Sequence, residues 1–294
     1  MLHFTNTPSC FEVFPTDSVN VIRALEKIPS NIRGIPKFKL AILNLFSRKG
    51  FGYGYFPGNK KILVDLDDIT EVPLWLGLYP REVHQFLESN LSDDSCFVDC
   101  GANIGLWSVL ALGVTCQKNG LVYSFEPNGK LFERLCATQE LNRAKSQWQI
   151  FNMGLSDRDG KATMHVDKAV HQVSTLNPQE EFSQRMDVDV SRLDSIRFKT
   201  KVGGIKIDVE GHEYEVLKGA CETINACRPW LVVELNSHYA NATSIMDWNV
   251  GRLLFEIGYQ STTDHRAEQS GQFCRDVIFY HPDCHDPSTM ISFN

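Results

Sequence analysis

The chain has 294 residues, 43% of them hydrophobic, enough for one large α/β domain with an appendage and too many for a minimal fold. Its net charge of −7 argues against a general nucleic-acid binder, and no run approaches the roughly eighteen apolar residues of a membrane helix. Nine cysteines, an odd number with no Cys-x-x-Cys pair, read as reduced; with no basic stretch before an apolar core in Met1-Leu2-His3-Phe4-Thr5, the expectation is a cytoplasmic protein without a signal peptide.

The charge is uneven. Residues 1–61 hold nine Lys or Arg against three acids, a surplus of +6 that leaves −13 for the remainder. This reads either as a solvated basic face or as a dock for an acidic partner. Pro8 and Pro15 mark an irregular start. Thr16-Asp17-Ser18 caps a helix expected over 19–27, and Pro36 precedes a second over 37–46. The aromatic, glycine-rich stretch 50–58 and the apolar run 61–66 predict a β-hairpin. Together residues 1–78 read as a cap of helices and a hairpin on a domain over 79–294.

A helix is expected over 81–90, with Val83, Phe86 and Leu87 on one face. Phe97 and Val98 then form a short buried strand that ends in Asp99-Cys100-Gly101-Ala102-Asn103-Ile104-Gly105. Gly101 and Gly105 permit a tight turn, and helical spacing resumes from Ile104. A strand, a glycine turn and a helix start make a nucleotide-cofactor cradle. The pattern is not the dinucleotide fingerprint, because Asn103 stands where the second glycine of that motif belongs. An acid beside the loop repels pyrophosphate but suits a ligand with an amine and a sulfonium, such as S-adenosylmethionine. At the end of the next strand, Glu126 in Ser124-Phe125-Glu126-Pro127-Asn128 can accept hydrogen bonds from both hydroxyls of an adenosine ribose.

Further on, 148–153 reads as strand three and 161–166 as another strand. Residues 167–185 are polar and aperiodic and read as a binding loop or lid, with His171, Gln172 and Ser174 its chemically capable members. An extended segment over 188–196 and a fourth main strand, Ile205-Lys206-Ile207-Asp208, follow. That strand's carboxyl end carries Asp208, Glu210, His212 and Glu213, and open α/β sheets bind ligands at this rim. A helix over 213–226, strand five over 230–235 with Glu234 at its end, a helix from Thr243 or Ser244 to 257 and an antiparallel closing pair complete the chain.

Phe97 to Gly105, Phe125-Glu126-Pro127-Asn128, Ser156-Asp157 and the run from Gly204 through Ile207-Asp208-Val209-Glu210-Gly211-His212-Glu213 resemble the FkbM-type methyltransferases. The resemblance covers about residues 79–280. It implies a Rossmann-like class I fold, a mostly parallel seven-stranded sheet with helices on both faces. It also implies S-adenosylmethionine as cofactor, held by Asp99, Gly101, Asn103, Gly105, Glu126, Asn128, Gly154, Leu155, Asp157 and Asp208. In such a fold Tyr79 approaches the methionine end, or else is an aromatic core anchor.

If the acceptor is a hydroxyl, a base must take its proton. The candidates are Asp208, favoured for its place beside the glycine loop, then Glu210, Glu234 and His212. His171, Gln172, Tyr79 and His238 are candidate acceptor contacts. Three carboxylates on one rim suit magnesium, but no Asp-Asn pair follows strand five, so no metal is expected. The cluster His281-Pro282-Asp283-Cys284-His285 fits no standard zinc spacing. The leading expectation is O-methylation of a hydroxyl on a sugar or natural product. N-methylation of a peptide amide, a nicotinamide-dependent oxidoreductase and a non-catalytic binding module are the alternatives.

Overall fold

The computed structural model describes residues 50–166, 174–175, 184–236, 244–262 and 274–290. The helices expected over 19–27 and 37–46, most of the loop over 167–185, and His171, Gln172 and His238 lie outside the described residues.

β1 (Phe51–Phe56) and β2 (Lys60–Asp65) form the expected antiparallel hairpin. A short helix α1 (Val72–Trp75) leads to α2 (Arg81–Asn90), which buries Val83, Phe86 and Leu87. There follow β3 (Ser95–Cys100), α3 (Leu106–Thr115), β4 (Leu121–Phe125), α4 (Gly129–Leu141) and β5 (Trp148–Phe151). A four-stranded sheet comes next, in the order β6 (Gly154–Leu155), β9 (Gln184–Ser191), β7 (Gly160–Val166), β8 (Ser174–Thr175). The chain then returns through β10 (Lys201–Ile207), α5 (Glu213–Lys218), α6 (Cys221–Cys227), β11 (Trp230–Asn236), α7 (Asn249–Glu256), β12 (Gln260–Ser261) and β13 (Cys274–Tyr280).

The main sheet has seven strands in the order β12-β13-β11-β10-β3-β4-β5. β13 runs antiparallel to both neighbours, whereas β10, β3, β4, β5 and β11 are parallel. All six residues of β3 are buried, and its alternation splits them between two cores. Phe97 packs with Val122, Trp230 and Val232 under α2 and α3, while Val98 and Cys100 pack with Ile205, Ile207 and Val233 on the other face. Helices on both faces explain the unbroken apolar strands. Strand order reverses between β3 and β10, which opens a crevice at their carboxyl ends.

Two helices differ from expectation. The helix expected over 213–226 is two, because the Asp194 N–H takes the Gly219 carbonyl at 2.9 Å. The last helix starts at Asn249, not at 243 or 244, because Ser244 and Asp247 close a turn through their own side chains. The 281–285 segment is a hydrogen-bonded turn: Asp283 N–H donates to His281 Nδ1, and His285 packs back on the His281 backbone. Among the described residues no helix is long and apolar enough to cross a membrane.

The hairpin is tied to α4 by three side chains spaced four residues apart on one helix face. Asn142 bonds the Lys61 N–H and C=O at 2.8 and 2.6 Å, Thr138 accepts from Leu63 N, and Arg134 donates to Leu63 O. Arg134 also forks onto Glu71 at 2.8 and 2.5 Å, with the glutamate only 2% exposed. Removing one partner of a buried pair leaves a desolvated charge, at a cost of about 3–5 kcal/mol. Glu71→Ala is therefore expected to lose that much stability in chemical denaturation, and a loss under about 1 kcal/mol would refute this account.

Candidate functional site

The crevice at the sheet switch point is a cleft lined by Gly101, Asn103, Phe125, Glu126, Pro127, Leu131, Gly154, Leu155, Met164, Asp208, Val209 and Glu210. The first turn is built by backbone necessity. Gly101 has φ +80°, and a Cβ there would stand 1.9 Å from the Asp208 carbonyl oxygen. Gly105 has φ +94°, and its missing Cβ would meet Leu135 at 2.6 Å. The Gly101 and Ala102 N–H groups both donate to Phe125 O at 3.0 Å, so the turn is pinned to the end of β4.

Glu126 sits at that end, 4% exposed. Its two oxygens accept the Asn103 and Asn128 N–H groups at 2.8 and 2.9 Å. Burial pushes its pKa up to about 7, and these two hydrogen bonds only partly oppose the shift. An ionised carboxylate has about four acceptor sites, so two remain for a ligand. Asn103, held at φ +52°, carries a buried side-chain oxygen with no hydrogen-bond partner. A glycine cradle, an anchored carboxylate and an orphaned amide oxygen in one cleft fit a ligand with donors such as ribose hydroxyls or an amine.

The opposite wall is the turn after β10. Glu210 has φ +51°, rare for a residue with a side chain, and burial with neighbouring Asp208 and Glu213 raises its pKa to about 7. Glu213 braces the turn by accepting from Gly211 N at 2.9 Å and Val209 N at 3.3 Å; its own carboxyl is raised to about 7, chiefly by burial. One oxygen each of Asp208, Glu210 and Glu234 lies within 4.8 Å of the others. Their counter-charge is Lys206, 3.5 Å from Asp208 and 2.5 Å from Asp276.

Gly101, Asn103, Glu126, Gly154, Leu155, Asp208 and Glu210 thus meet at one cleft, and Glu234 joins its acidic wall. Other expected residues stand elsewhere. Asp99 is turned away from the cleft: it is 2% exposed and accepts the Ser108 hydroxyl, which in turn bonds Ser124, itself bonded by the Trp148 indole at 2.7 Å. Burial raises Asp99 to about 6, partly offset by Ser108 and Lys206. Gly105 shapes the turn and packs on Leu135 rather than facing the cleft. Asn128 caps α4 through the Lys130 N–H at 3.0 Å. Asp157 pairs with Lys218 at 2.8 Å on the surface. His212 points back to Ser156, with Nε2 3.0 Å from the hydroxyl, and burial lowers its pKa. Tyr79 packs on Phe56, ring centroids 5.1 Å apart, as a core anchor. Sequence reasoning missed Lys206, Asp276, Leu131 and Met164. A lysine interrupting an apolar strand was the available signal for the first; the others carried none.

A switch-point cleft with a glycine turn and an acid after the second strand defines a Rossmann-like domain of the methyltransferase type. Residues 99–261 match the family described as the methyltransferase FkbM domain, and the chain belongs to that family. It is 28% identical over 161 residues to the hexuronic acid methyltransferase AglP of Haloferax volcanii, covering 53% of this chain and 62% of that protein. It is 28% identical over 171 residues to the methyltransferase sdnD of Sordaria araneosa, covering 47% of this chain and 65% of that protein. Each match spans less than two thirds of the curated relative. Among solved structures it is similar to a methyltransferase FkbM from Methylobacillus flagellatus, with 21% identity and a TM-score of 0.44, covering 73% of this chain and 55% of that one.

Glu126 keeps its proton to about pH 7 when folded but loses it near 4.5 when unfolded. Between those values the folded state holds more protons, so this group's contribution to stability falls as pH rises. Glu126→Gln removes the effect. The melting temperature of native protein relative to the variant is expected to fall from pH 5 to pH 8; a flat or rising difference would contradict the assignment.

Proposed function

We propose that the chain is an S-adenosylmethionine-dependent methyltransferase that acts on a hydroxyl oxygen of a sugar or natural product. The observation that carries this reading is Glu126, a buried carboxylate fixed by two backbone N–H groups beside the Gly101 turn and the unpartnered Asn103 oxygen. Glu126 is placed to take the ribose hydroxyls, the Gly101 turn leaves room for the amino-acid end, and Phe125, Leu131, Leu155 and Met164 form an apolar wall for the adenine. When bound, the cofactor supplies an electrophilic methyl group on a sulfonium. The chain's part is to align the acceptor and remove its proton as the carbon–oxygen bond forms. Glu210 is the base, because its pKa of about 7 lets it be ionised yet basic near neutrality.

The acidic wall of Asp208, Glu210 and Glu234 disfavours negative charge at the reacting atom, which supports a neutral hydroxyl over a carboxylate. The name of AglP, a hexuronic acid methyltransferase, supports a sugar; a carboxylate on such a sugar would lie away from this acidic wall. A nicotinamide cofactor is disfavoured by Asn103 at the second glycine position of the dinucleotide loop.

Isothermal titration is expected to show S-adenosylmethionine binding and no NAD binding; the reverse would overturn the reading. Hydrogen bonds to a charged group contribute about 1.5–3 kcal/mol, so Glu126→Gln is expected to weaken S-adenosylmethionine about ten- to a hundredfold. Because Glu126 ionises near pH 7, affinity of the native protein is expected to rise between pH 6 and pH 8, and that rise is expected to vanish in the variant.

A further inference from the structure

Lys206 sits in β10, a central strand of a parallel sheet, between β3 and β11. Its neighbours in sequence, Ile205 and Ile207, are fully buried, and Lys206 itself is 2% exposed. An isolated ammonium in such a place is costly, and replacing a buried ion pair with apolar groups is often neutral or stabilising. The charge is not needed to pair the strand, since β10 is already hydrogen-bonded on both sides.

The geometry around Lys206 points to the cleft. Lys206 and Asp208 share a face of the sheet, two residues apart, and the Nζ lies 3.5 Å from the Asp208 carboxylate. The same Nζ reaches past β11 to Asp276 of β13, at 2.5 Å. It also lies 5.6 Å from the Trp107 ring centre, at the start of α3. Asp99 of β3 and Glu234 of β11 are the other charged groups that face it. Burial acts to lower the lysine pKa, but the Asp208 and Asp276 carboxylates outweigh it and hold the group charged.

We propose that Lys206 is a positioning residue for methyl transfer: braced by Asp276, its ammonium fixes the Asp208 carboxylate at the cleft wall, where Asp208 faces the sulfonium. This rests on the S-adenosylmethionine reading above. Asp208 then discriminates a charged sulfonium from the neutral thioether of S-adenosylhomocysteine, and Lys206 acts only through it. Lys206 opposes the burial and the Asp208 charge that raise the Glu210 carboxyl to about 7, so without the ammonium Glu210 takes up a proton more readily and makes good the lost charge, while the aim of Asp208 is lost.

The test is a double-mutant cycle read by calorimetry, with S-adenosylmethionine and S-adenosylhomocysteine as probes. Lys206→Met and Asp208→Asn are each expected to shift the ratio of the two affinities about tenfold toward S-adenosylhomocysteine, a size typical of one charge-assisted contact. The double variant is expected to shift it about tenfold as well, not a hundredfold, because the two residues act as one unit. Lys206→Met removes one partner of a buried pair and is expected to melt below the native protein, so the readout is the ratio of the two affinities, which a loss of stability alone does not move. A ratio that stays put or moves toward S-adenosylmethionine in Lys206→Met, or effects that multiply in the double variant, would overturn the proposal. Should Lys206→Met fail to fold, Asp276→Asn carries the same test. With the brace neutral, the ammonium is no longer held at its Asp276 end, its hold on Asp208 loosens and the ratio again shifts toward S-adenosylhomocysteine; an unmoved ratio overturns the proposal. A native protein that binds neither probe would instead sink the cofactor reading itself.

Discussion

The cleft depends on one close approach. The end of β3 and the end of β10 come so near that Gly101 has no room for a single carbon beyond its backbone. The Asp208 N–H closes the seam from the other side by donating to Cys100 O at 3.0 Å. That contact sets the distance between the two walls, one carrying Asn103 and Glu126 and the other Asp208 and Glu210. Any residue with a side chain at 101 would push them apart, and the polar groups would no longer face one space.

The second constraint is electrostatic. Asp99, Glu126, Glu210 and Glu213 all have pKa values raised to about 6 or 7, and burial is the leading cause for each. Glu126 and Glu210 in the cleft, with Asp99 and Glu213 behind its walls, are thus acids held against their preference, and Lys206 is the internal counter-charge. A cationic ligand relieves that tension and an anionic one adds to it.

Much of this was legible from local pattern. The strand, glycine turn and helix around Gly101 announce themselves, and so do the acids at the ends of β4 and β10, because their positions follow from strand ends alone. What sequence cannot give is which way a side chain turns once placed. Asp99 reads as a ligand contact, yet the structure directs it to Ser108, a partner nine residues on whose orientation is fixed by α3. His212 has the right chemistry at the right rim but is captured by Ser156, in the loop that follows β6 of the smaller sheet. Lys206 stands out as a lone charge in an apolar run, but its brace is 70 residues away, on a strand that doubles back. Long-range pairings of this kind leave no periodic trace.

The side-chain ladder from α4 to β2 has a practical consequence. Arg134, Thr138 and Asn142 satisfy the outer edge of a strand that precedes the sheet in sequence, and the same helix presents Leu131 to the cleft. A fragment trimmed to begin after the hairpin would expose the guanidinium's side of α4 and an apolar surface that Ile62 and Val64 now cover. Recombinant truncations meant to isolate the catalytic half should keep everything from Phe51 onward, since cutting later removes part of the pocket's own foundation.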